Sequence, residues 1–160
     1  MSFTHDLIKL DELSARTDEG KRFYQTPQGK SYPSVTTVTG ILSKDDIQAW
    51  RKRIGEEKAD QITRAATSRG NEVHKLAELY LKNELFSQST LFDEPKTNNY
   101  KMFEVLSSVL DNKVGIVRAI EAPLYSDVLR VGGRVDLVAE WDNELAVIDF
   151  KTSSKPKKER

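Results

Sequence analysis

An α/β domain, with helices first and a small mixed sheet after them, is the fold class this sequence predicts. Three observations carry it. Apolar residues recur at three- and four-residue intervals between Glu56 and Asn83 and again from Tyr100 to Leu110, the period of amphipathic helices. After Lys113 the chain turns to short Val- and Ile-rich runs parted by turn residues, the pattern of successive strands. Its 160 residues, 38% hydrophobic and 31% charged, suffice for one domain with its own core.

Arg22 to Thr26 and Ser31–Tyr32, joined by Pro27, Gln28, Gly29 and Lys30, read as a short hairpin. Ser34 or Thr36 caps a short helix through Ile41 and Leu42. Ser43 followed by Asp46 starts another that runs to about Ile54, where Gly55 breaks the pattern. The long helix covers Glu56 to about Asn83, with Val73, Leu76, Ala77, Tyr80 and Leu81 on its apolar stripe and Gly70 as its weak point. Ser87 to Asn98, with Pro95, has loop composition, and Tyr100, Phe103, Leu106, Val109 and Leu110 mark a second long helix. Gly115 to Tyr125, Leu129 to Trp141 and Glu144 to Phe150 are predicted to form an antiparallel meander, with Asp142 and Asn143 as a tight turn. Residues 1–112 thus form a hairpin and helical region, 113–151 a three-stranded sheet and 152–160 a polar basic tail, all of one domain.

Composition narrows the chemistry. The 25 basic and 25 acidic side chains cancel, so any electropositive surface must come from local arrangement. The absence of cysteine excludes disulfides, thiolate zinc sites and cysteine nucleophiles and fits a reducing compartment. The first residues lack an apolar signal region and no run reaches a membrane span, so a soluble, cytoplasmic protein with no membrane partner is expected.

The segment VGGRVDLVAEWDNELAVIDFK, residues 131–151, concentrates the unusual features. Asp136 interrupts an apolar run among Val135, Leu137, Val147 and Ile148, where a carboxylate resists desolvation unless a positive group compensates it. Alternation sets Asp149 and Lys151 on one face with Val147, and Asp136 on a face with Arg134 and Val138. Glu121, near the end of the preceding strand, can join them. Three clustered carboxylates repel more than Lys151 alone can offset, whereas Mg²⁺ or Mn²⁺ bound by oxygen ligands can. His74, at the edge of the long helix's apolar stripe in RGNEVHKLAE, can complete a metal's shell, and Arg69 beside Gly70 can reach a phosphate. Plainer readings stand beside these. The acids and Lys151 can be a cross-strand ion pair, Glu121 a solvated strand end and His74 a satisfied core histidine. Arg69, Arg51, Lys52 and Arg53 can be a salt-bridged helix surface, and Trp50, Tyr80 and Tyr100 can be core rather than base-stacking residues.

An acid within a Gly-Gly-x-x-Asp strand, followed by Asp-x-Lys closing the next, resembles the PD-(D/E)xK nuclease superfamily, whose core Glu121, Asp136, Asp149 and Lys151 match in order. With the upstream Gly-Asn-Glu-Val-His-Lys segment the chain resembles the RecB-type exonucleases within it. The stretch YPSVTTVTG, residues 32–40, before the helix holding Trp50, is similar to exonucleases of the mitochondrial genome maintenance type and their phage relatives. The resemblance covers residues 22–154. It implies a restriction-endonuclease-like core and hydrolysis of phosphodiester bonds in DNA, with single strands as substrate, in processing, recombination or repair. It also implies a metal held by His74, Asp136, Asp149 and the Phe150 carbonyl, with Glu121 bound directly or through water. Lys151 then positions the attacking water. Apart from the resemblance, Arg69, Ser34, Thr37 and Arg134 are the candidate DNA-contacting residues. One departure is plain: the family follows Asp-x-Lys with a helix carrying Gln-x-x-x-Tyr and a further strand, and this sequence has nine residues after Lys151. The expectation is a core without that helix and strand, from a shortened coding region, completed by a second polypeptide, or left as an inactive remnant; the rival reading is a non-catalytic DNA-binding or assembly subunit. An open strand edge beside Leu145, Val147 and Phe150 is expected with it.

Overall fold

The computed structural model describes residues 2–85 and 97–153. The elements in chain order are β1 (Thr4–His5), β2 (Ser14–Asp18), β3 (Lys21–Gln25), β4 (Ser31–Pro33), α1 (Val35–Leu42), α2 (Lys44–Ile54), α3 (Glu56–Leu81), α4 (Asn98–Lys113), β5 (Val114–Ser126), β6 (Val131–Trp141) and β7 (Glu144–Ile148). The expected loop over Ser87 to Asn98 lies largely outside the described residues, as does most of the basic tail. The chain divides into two compact units, one of residues 1–7, 60–120 and 136–160, the other of residues 8–59 and 121–135.

The first unit holds most of the main sheet, ordered β1-β5-β6-β7. β1 runs parallel to β5 through Thr4↔Ile116 and His5↔Val117, and β6 pairs antiparallel with β7 from Leu137↔Ile148 to Trp141↔Glu144, so the sheet is mixed as the fold class requires. Its core joins Leu76, Ala77, Tyr80 and Leu81 of α3 to Phe103 and Leu110 of α4 and to Val117, Leu137 and Ala139 of the sheet. Tyr80 meets Phe3 and Phe103 edge-on, with ring centroids 5.3 and 5.5 Å apart, and Tyr100 meets Phe103 at 5.8 Å. Both tyrosines belong to the packing, as the plainer reading held. α3 passes Gly70 without a break, and a Cβ there would meet only Thr152 Oγ1, at 3.8 Å. The helix closes in a Schellman motif: Glu84 N donates to Leu79 O, Asn83 N donates to Tyr80 O, and Asn83 takes φ 61°.

β1 has no counterpart in the sequence pattern, because two residues display no period. Its value lies in what it fastens. Phe3 N donates to Asn83 Oδ1 (2.8 Å), Asn83 Nδ2 donates to Phe3 O (3.0 Å), and His5 Nε2 meets Leu81 O at 2.7 Å. These bonds occupy polar groups at the C-terminal end of α3 that the helix itself cannot satisfy.

The second unit contains a three-stranded antiparallel sheet, β2-β3-β4. The β3–β4 hairpin is the expected one, and its turn is closed by Gly29 N donating to Thr26 O. β2 is additional; its sequence SARTD is exposed at every position, so no buried face prints an alternation on it. It joins β3 through Glu19 and Gly20, with φ of 46° and 75°, the conformation of a tight hairpin turn. Ser34, not Thr36, caps α1: its Oγ accepts from Thr37 N at 2.9 Å, while Thr36 is already inside the helix. A Cβ on Gly132 would lie 2.9 Å from Tyr24 Cβ, so this close approach requires glycine.

β7 ends at Ile148, two residues short of the strand expected to reach Phe150. Phe150 is buried in the core at 7% exposure, whereas Leu145 and Val147, on the edge strand, are 71% and 65% exposed. Among the described residues β7 is thus the edge strand, and Phe150 is not part of that edge.

Burial, together with the hydrogen bond from its hydroxyl to Asp111 Oδ1 (2.7 Å), pushes the Tyr80 phenol up to about 12. A raised acid favours the protonated folded state, so this contribution is complete below the ordinary value of 10.0 and disappears as the pH rises through about 12. In a phenolate absorbance titration of the five tyrosines, the latest phase should be lost in Tyr80→Phe, which should also cost about 1 kcal/mol at neutral pH. An unchanged titration in that variant would contradict the assignment.

Candidate functional site

Asp136 occupies the interior of β6, next to the fully buried Leu137, with its own side chain 12% exposed. Each carboxylate oxygen has a partner. Oδ2 accepts from Phe150 N at 2.5 Å, and Oδ1 lies 3.3 Å from His74 Nδ1. The other ring nitrogen, His74 Nε2, lies 2.9 Å from Phe150 O. His74, Asp136 and the Phe150 peptide therefore close a ring of polar contacts, and the Phe150 side chain packs edge-on to the imidazole with centroids 6.0 Å apart. Burial alone pushes the Asp136 carboxyl upward. The hydrogen bonds from His74 and from the Phe150 amide, with the charges of His74 and Lys151, together outweigh it and hold the group below its ordinary range.

Extending the β6–β7 register one step would set Asp136 directly against Asp149. The ladder stops instead at Leu137↔Ile148, and Asp149 turns outward, 59% exposed, to pair with Lys151 Nζ. Facing carboxylates repel, which accounts for the early end of the strand. Lys151 is 63% exposed and still contributes to the potential at Asp136. Beside this segment runs an apolar groove of about 680 Å³, lined by Val73, Met102, Val105, Leu106, Val109 and Trp141, with residues 148–153 forming the rest of its wall.

Of the residues expected to act together, the first unit brings His74, Asp136 and the Phe150 carbonyl to one point, with the Asp149–Lys151 pair beginning one residue to either side of Phe150. Glu121 begins the second unit and has φ 48°, a conformation a glutamate adopts at a cost, and its carbonyl accepts from the Arg134 guanidinium. Ser34 is 2% exposed, with its hydroxyl engaged by Thr36, Thr37 and the cap. Thr37 Oγ1 accepts from Arg22 N at 3.1 Å. Arg51 pairs with Glu56, the salt-bridged surface of the plainer reading. Sequence reasoning missed the Phe150 amide as a partner of Asp136, and nothing in the side-chain pattern signals a backbone donor. It also missed Tyr32, which donates to Asp127 (2.5 Å) while Lys30 pairs with the same carboxylate at 3.0 Å.

Chemically, an imidazole nitrogen, a carboxylate and a peptide carbonyl make a donor set suited to a hard or borderline divalent cation.

A family model described as the PD-(D/E)XK nuclease superfamily matches residues 48–160. The chain is also similar to mitochondrial genome maintenance exonuclease 1 of Homo sapiens, 33% identical over 135 residues that cover 78% of this chain and 38% of that protein. The Mus musculus protein of the same name is 29% identical, covering 81% of this chain and 39% of its own length, and the Xenopus tropicalis protein is 32% identical, covering 78% and 38%. The chain thus matches about two-fifths of the length of these relatives.

Because the folded Asp136 carboxyl lies below its ordinary value of 3.8, its contribution to stability is present above that value and lost as the pH falls through the lower folded one. Asp136→Asn should therefore cost about 1–3 kcal/mol at neutral pH and flatten the acid limb of a denaturant-midpoint profile. Parallel wild-type and variant profiles would show that Asp136 is not the compensated group.

Proposed function

The chain belongs to the PD-(D/E)XK nuclease superfamily, and from that premise we propose that it is a metal-dependent DNA exonuclease acting on single strands in DNA processing or repair. The observation that carries this reading is the convergence of His74, Asp136 and the Phe150 carbonyl beside an Asp-x-Lys pair, in the order the superfamily motif sets. His74, Asp136, Asp149 and the Phe150 carbonyl would hold Mg²⁺ or Mn²⁺, and Glu121 joins them by its place in the ordered motif. Such a cation, when bound, acidifies water and neutralises phosphate charge. His74 and Asp136 keep each other oriented through their contact, and the Phe150 amide fixes the carboxylate from the opposite side. Lys151 Nζ, set beside Asp149, positions the attacking water and presents positive charge to the phosphoryl group. Thr37 and Arg134 contact the DNA backbone, and Ser34 supports them by fixing the start of α1.

A second reading is favoured by the exposed Leu145 and Val147 and by the open groove: a nuclease-fold subunit that binds DNA without turnover and is completed by a second polypeptide. Labelled single-stranded and duplex DNA with Mn²⁺ separates the two. Metal-dependent shortening of single strands, reduced about a hundredfold or more in Lys151→Ala with binding retained, supports the enzyme. Tight binding with no cleavage supports the subunit.

Calorimetric titration addresses the cation directly. Asp149→Asn should weaken Mn²⁺ binding at least about tenfold, because a carboxylate ligand is replaced by a neutral amide. Equal affinity in the variant would remove Asp149 from the ligand set.

A further inference from the structure

Arg69 is a residue of α3 that the free protein leaves unexplained. Its Nε is shut off from solvent and has no hydrogen-bond partner among the described residues. A guanidinium is permanently charged, and an unmet donor on it is costly, so such a group is expected where a ligand supplies the acceptor. The neighbouring acids are engaged elsewhere. Glu72, one turn on, accepts from Thr97 Oγ1 at 3.3 Å and from Asn99 Nδ2 at 2.6 Å. Asp136 is taken by His74 and the Phe150 amide, and Asp149 by Lys151.

Position supplies the second half of the argument. Arg69 is adjacent to Gly70, whose Cα faces Thr152, and lies four residues before Val73, which lines the groove with Asp149 to Ser153. Residues four apart share a helix face. Arg69 therefore stands one turn from the place where the Asp149–Lys151 segment passes α3.

We propose that Arg69 docks a phosphate of the nucleic-acid strand, its guanidinium supplying an Nε donor that finds no acceptor among the described residues. This deepens the nuclease reading and rests on it. The role is substrate binding: the phosphate accepts hydrogen bonds from a fork matched to its oxygens, and no proton or bond changes hands at Arg69.

The test uses the full chain and a fluorescein-labelled oligothymidylate without divalent ions, followed by anisotropy over a range of NaCl, with melting temperatures taken in parallel. Arg69→Gln should bind at least about tenfold more weakly, and its plot of log affinity against log salt should be flatter by about 0.7, the increment for one phosphate contact on a single strand. Its melting temperature should be unchanged or higher, since the substitution removes a donor that is unmet among the described residues. Arg69→Lys should keep the salt slope while still losing affinity, because it keeps the charge without the fork. Wild-type affinity and slope in Arg69→Gln, with the wild type binding normally, would overturn the assignment and leave the nuclease reading standing. A large fall in melting temperature in both variants, with affinity per folded molecule preserved, would make Arg69 a structural residue and overturn it equally. A wild-type chain that does not bind the oligonucleotide and does not cleave it once Mn²⁺ is added would overturn both.

Discussion

The half-buried carboxylate of Asp136 is the constraint around which the first unit is organised. A negative charge in the interior of a strand, beside the fully buried Leu137, is destabilising unless donors meet it. Two do, His74 from α3 and the Phe150 amide from the segment after β7. Compensation of one charge therefore ties a helix and the end of a strand ladder to the middle of the sheet. The same charge accounts for the end of β7, since regular pairing would have set Asp149 opposite it.

Phe150 couples this polar centre to the apolar core. Its ring is a core residue, whereas its N–H and C=O face Asp136 and His74. Packing a large side chain thus fixes the position of two main-chain groups to within hydrogen-bond tolerance, without assistance from the strand ladder, which has already ended. Asp149 and Lys151, on either side, remain exposed and paired with each other. The site accordingly combines a rigid part held by the core and a solvated part free to reorganise around a ligand.

Much of this was legible in the sequence. The helical period gave α3 and α4, the Val- and Ile-rich runs gave β5 to β7, and an aspartate among apolar neighbours marked Asp136. Four things were illegible for identifiable reasons. β1 is too short to show a period, and β2 is exposed on both faces, so neither carries the alternation that burial imposes. The end of β7 depends on repulsion between residues far apart in sequence, whereas propensity alone carries the strand through the favourable Phe150. The Phe150 amide is a main-chain group, common to every residue, and only its placement makes it part of the site.

The small fastening at the end of α3 has a consequence for aim. Phe3 and Asn83 exchange two hydrogen bonds, and His5 meets the Leu81 carbonyl. His74 lies about two turns upstream on the same rod. Advancing an α-helix by one residue turns its side chains through about 100° around the axis. The latch at Phe3 therefore works as an angular stop, setting the bearing of the imidazole as much as anchoring the helix. A slip of one residue there would swing His74 away from Asp136 and turn Leu76, Ala77, Tyr80 and Leu81 of the same helix out of register with the core.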